Sequence, residues 1–138
     1  MNAMKPISHF DQLLQAAAAQ PEPQRLLFVF ATAGLPDDAT AAQRERYAAG
    51  GGGALAPLMC VDKGPGDLSD FEAFVAESRA AGPAWQVLFA AGLGGSDGRS
   101  PSAAQIDQAL QTLVERVRDG RLDGLLALDP SGAPLNFE

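Results

Sequence analysis

Apolar residues recur along this chain in two rhythms, a helical period and short unbroken runs. Phe10, Leu13, Leu14 and Ala17 fall at helical spacing behind Ser8, which suits an N-cap, with Asp11 in the first turn. Pro21 and Pro23 stop that helix. Residues 25–33 (RLLFVFATA) are continuously apolar and β-rich, the pattern of a strand covered on both faces. The turn residues Gly34, Pro36, Asp37 and Asp38 follow, and Thr40 with Gln43 makes a capping-box pattern for a short helix over 41–49.

Four glycines at 50–53 lead into a second strand at 54–61 (ALAPLMCV). Pro57 cannot donate to a ladder, so this strand is an edge or begins after the proline, and the proline and glycine lead-in would also suit an antiparallel pairing with the first strand. Ser69 and Glu72 form a capping box for a helix to Ala81, with Phe71, Phe74, Val75 and Ser78 on its buried stripe and Gly82 as its stop. Residues 85–91 (WQVLFAA) read as a third strand, with Trp85 filling core. The glycine-rich loop 92–102 (GLGGSDGRSPS) leads to a helix capped by Ser102 and Gln105, whose apolar face is Ile106, Leu110, Leu113, Val114 and Val117. A fourth strand covers 125–128. Asp129, Pro130, Ser131 and Gly132 spell a type I turn into a last strand at 135–137.

Strands alternating with helices predict a single α/β domain over 1–138. Its expected sheet is mixed but mostly parallel, about five strands with helices packed on it and a C-terminal β-hairpin. In such sheets ligands bind beyond the carboxyl ends of the strands. That arrangement would gather Asp37 and Asp38, Cys60 with Asp62 and Lys63, the 92–102 loop, and Asp129. Ordinary surface turns explain the same polar residues.

Composition narrows the partners. Of 138 residues, 46% are hydrophobic and 20% charged, which is ordinary for a globular domain. A net charge of -7 opposes binding to nucleic acid and to anionic membranes. The single cysteine, Cys60, excludes an internal disulfide and fits a reducing compartment. Residues 1–10 carry no apolar leader core, and no apolar run is long enough to span a bilayer. A soluble cytoplasmic protein is expected.

Two places could carry chemistry. Gly94, Gly95, Ser96, Gly98 and Arg99 precede a helix N-terminus, where glycine amides and an arginine could hold a small anion. The loop fails the Walker A spacing, with Leu93 where a glycine belongs and Arg99 in place of lysine, and Asp97 breaks the dinucleotide pattern. A plain strand-to-helix connection is the competing reading. The other place is Cys60, which a neighbouring Lys63 could activate, with Asp62 tuning it. A catalytic thiol also needs a base, and the one histidine, His9, lies far away in sequence. One histidine and one cysteine cannot build a zinc site, and nothing specifies a cofactor. Glu115 with Arg116, and Asp119 with Arg121, read as solvated charges.

Three functional readings stay open. The leading one is a non-catalytic accessory or small-anion-binding protein using Gly94, Gly95, Ser96, Gly98 and Arg99. The second is a thiol enzyme using Cys60, Asp62 and Lys63. The third is a protein-interaction module or homodimer using the edge near Pro57 or the final hairpin.

RLLFVFA, LPDDAT, ALAPLMCVDK, SDFEAFVAESRAAGPAW and DPSGAPLNF, spread over nearly the whole chain, resemble a family of small uncharacterised bacterial proteins. Members of that family are often labelled ribonucleotide reductase alpha subunits. Such a subunit needs a redox-active cysteine pair and a further active-site cysteine, whereas this chain has one cysteine. The resemblance therefore implies a cytosolic bacterial protein and carries over no catalytic residue.

Overall fold

A computed structural model of the chain describes residues 8–33, 41 and 42, and 55–135. The elements run α1 (His9–Ala18), β1 (Gln24–Ala33), β2 (Leu55–Lys63), a 3-10 turn (Pro65–Asp67), α2 (Phe71–Ala81), β3 (Val87–Gly94), α3 (Ala103–Arg118) and β4 (Leu126–Leu128). Local chemistry sets the helix starts. Ser8 accepts from the Asp11 amide at 3.0 Å, and Asp70, one residue after the expected Ser69, accepts from Ala73 at 2.7 Å. Ser102 and Gln105 close a reciprocal capping box on α3.

The sheet corrects the expected architecture. It has four strands in the order β2-β1-β3-β4, and every neighbouring pair is antiparallel. β2 and β3 are parallel to each other, as their connection through α2 suggests, but β1 lies between them. The expected mostly parallel sheet rested on strands alternating with helices, and the unbroken apolar run of β1 suits an antiparallel sheet as well. Leu26, Phe28 and Phe30 face α1 and α2, while Leu27, Val29 and Ala31 face α3. Both faces are covered, so the strands look parallel in composition although their hydrogen bonding is antiparallel.

The first face is an aromatic core: Phe28 and Phe74 have ring centroids 4.6 Å apart, and Phe30 lies 5.1 Å from Trp85. The second face packs Val29, Phe89, Leu113 and Val117. The register slips between Phe30 and Ala31, opposite Met59 and Pro57, leaving a bulge in β2 beside the residue that lacks an N–H.

The expected C-terminal hairpin is also revised. Asp129 and Gly132 close a turn, with Gly132 N donating to Asp129 O at 2.9 Å, but the return makes only an isolated bridge, Leu128 to Pro134. Asp37, Asp38, the 43–49 part of the expected short helix, the glycines at 50–53, and residues 136 and 137 lie outside the described residues. Among the described residues, no helix is long and apolar enough to cross a membrane.

Candidate functional site

Antiparallel pairing decides which loops meet. β1 begins at the end of the sheet where β2 and β3 finish, so Glu22 to Arg25, Asp62 to Asp67 and the 95–102 loop share one end. Asp129 follows β4 at the opposite end. The expected convergence of all these loops therefore does not occur.

The glycine-rich loop is a tight hairpin turn. Ser96 and Arg99 exchange both backbone hydrogen bonds, at 3.0 and 2.9 Å, around Asp97 (φ 53°) and Gly98 (φ 74°). Two successive left-handed residues are the signature of a two-residue turn, and Asp-Gly is among the sequences that favour it most. A Cβ on Gly95 would lie 1.8 Å from the Arg99 carbonyl oxygen, so this glycine serves chain packing. The Gly98 amide already holds an anion: it donates to Glu22 Oε2 at 2.7 Å. Arg99 is exposed and pairs with no described side chain. Glu22 is thus a residue of this loop that sequence reading missed; the Asp-Gly pair was the available signal for the turn.

Beside this hairpin, Arg25 ties the ends of two segments together. Its Nε and Nη2 reach Asp62 Oδ2 at 3.1 and 2.5 Å, and its Nη1 lies 3.7 Å from Asp67 Oδ2. Asp62 is therefore engaged in holding the sheet end, where a charge-assisted pair is well formed.

The three residues of the thiol reading separate. Cys60 and Asp62 lie on the α3 face of β2. Lys63 lies on the other face, with its Nζ 2.7 Å from Glu77 Oε1 of α2. Partial burial first, then the charge of Asp62, pushes the Cys60 thiol above its ordinary value. Cys60 is thus a protonated thiol near neutrality, and the cation that would activate it is bound elsewhere.

Cys60 does line a cavity. A groove of about 420 Å³ runs between β2 and α3. Leu110 and Val114, both half-buried, form its floor, and the exposed Cys60 lines its β2 side. Asp107, Gln111, Glu115 and Arg118, all exposed, form its rim. These rim residues recur at helical spacing beside the apolar stripe, which is how the sequence could have shown them. The outer edge of β2 is unpaired among the described residues. Also among these residues, no three His, Cys, Asp or Glu side chains converge where a metal ion could bind.

Comparison with known protein-family models, curated proteins and solved structures returns no match.

Proposed function

We propose that the chain is a non-catalytic binding domain that takes a protein partner along β2. The observation that carries this reading is the strand itself. β2 is nine residues long, hydrogen-bonded to β1 on one side and unpaired on the other among the described residues, and it borders the groove against α3 with its charged rim. An open antiparallel edge supplies a row of backbone donors and acceptors, and neighbouring side chains supply selectivity. The small-anion reading is less well supported, because Glu22 occupies the Gly98 amide. The thiol reading is weakened by the separation of Lys63 from Cys60. The reading keeps the expected reducing cytoplasm, where an exposed cysteine persists as a thiol.

The test is a thermal-shift screen with nucleotides, sugar phosphates, coenzyme A and simple carboxylates, with Arg99→Ala as control. A true ligand at a hundred times its Kd adds about 2.7 kcal/mol. No stabilisation is expected. A shift that disappears in Arg99→Ala overturns the reading and restores the anion site.

A further inference from the structure

We propose that β2 and the adjoining face of α3 form a two-fold surface, and that the protein it takes is a second copy of this chain. The proposal rests on the partner-binding reading above and names the partner. Two features of the groove carry it.

The first is the strand. Two copies related by a two-fold axis meet with their β2 strands antiparallel, the arrangement already made by every pair in the sheet. Cys60 stands midway between Pro57, which cannot extend a ladder, and Lys63, the last residue of β2. An axis at Cys60 sets Met59 opposite Val61, and the bulge at Leu58 ends the regular ladder before Pro57. The proline then falls at the margin of the new ladder, where its missing N–H does least harm.

The second is the charge along α3. Cys60 lines the same groove as the stripe running from Asp107 to Arg118. Those two residues are opposite in charge and about three helical turns apart. The two-fold axis that pairs the strands also brings the two α3 stripes together antiparallel. Asp107 of each copy then faces Arg118 of the other, twice per dimer, while Leu110 and Val114 meet between them. A parallel arrangement would set like charges together. The α3 stripe is therefore self-complementary under the symmetry that the β2 edge requires.

The test is sedimentation equilibrium on the full chain with two charge reversals. The wild type is expected to sediment as a dimer. Asp107→Arg and Arg118→Asp each place like charges in contact twice and should weaken self-association about tenfold or more. An equal mixture of the two variants restores both pairs, so the mixed dimer should return to wild-type strength. Both residues are exposed on the helix surface, so the variants keep the core. Mild oxidation of the wild type should also yield a covalent dimer through Cys60, the one cysteine present. A wild type that is monomeric at all concentrations overturns the second-copy surface and leaves a foreign protein as the partner. A dimer indifferent to both reversals overturns it equally. Neither outcome resembles the anion-induced stabilisation that would overturn the partner-binding reading itself.

Discussion

The backbone amide of Gly98 donates to the carboxylate of Glu22 at 2.7 Å, across the end of the sheet. The contact joins the start of β1 to the turn after β3. It makes the glycine-rich loop after β3 a clasp on its own fold. Its backbone shape depends on Gly98 at φ 74°, where an L side chain is strained. Gly98→Ala should therefore cost about 1 kcal/mol, read from the urea midpoint at unchanged slope. No Cβ clash adds to this, since the site is open. An unchanged midpoint would show that the turn relaxes freely.

Trp85 and Ser78 make a second prediction. The indole Nε1 donates to Ser78 Oγ at 2.8 Å, and that hydroxyl in turn donates to the Val75 carbonyl at 2.6 Å. Trp85 and Ser78 are 3% and 5% exposed, so Ser78→Ala strands a buried N–H and should cost about 1–3 kcal/mol. In a Trp85→Phe background the same change should cost less, because no indole remains to be stranded. Equal losses in both backgrounds would refute the coupling.

Arg25 carries a third. Its guanidinium spans Asp62 and Asp67, with Arg25 and Asp62 each 28% exposed. Arg25→Ala should lower stability by about 1 kcal/mol, and Arg25→Lys should recover only part, because one ammonium cannot reproduce the fork. Raising salt should shrink the difference from wild type. A loss independent of salt would assign the effect to the packing of the arginine stem.

Cys60 gives the pH prediction. Partial burial and the Asp62 carboxylate raise its pKa, so the folded state favours the neutral thiol. The raised folded value means that this contribution to stability is present below the ordinary thiol pKa and is lost as pH rises through the folded one. Iodoacetamide should label the exposed thiol without unfolding, with a rate that climbs only in alkaline solution. Asp62→Asn should move that rise to lower pH. A rate already maximal at neutral pH would revive the thiol chemistry.

Much of the local structure was legible along the chain. Ser8, Ser102 and Gln105 start helices where short side chains can reach free amides, and such contacts span only three residues. The apolar stripes of α2 and α3 and the strand cores were legible for a similar reason, because burial imposes a period on neighbouring positions. Strand direction was not. Val29 is apolar whether its neighbour Cys60 runs with it or against it, since helices cover both faces of the sheet. Lys63 and Asp62 are adjacent in sequence, yet the pleat sends them to opposite faces, to Glu77 and to Arg25. The sequence by itself therefore determined the caps of α1 and α3 and the buried faces, set by interactions between near neighbours. Only the tertiary structure decided the antiparallel order, the engagement of Gly98 by Glu22 and the groove beside Cys60. Each of these depends on which distant segments share a sheet end, and no local period encodes that.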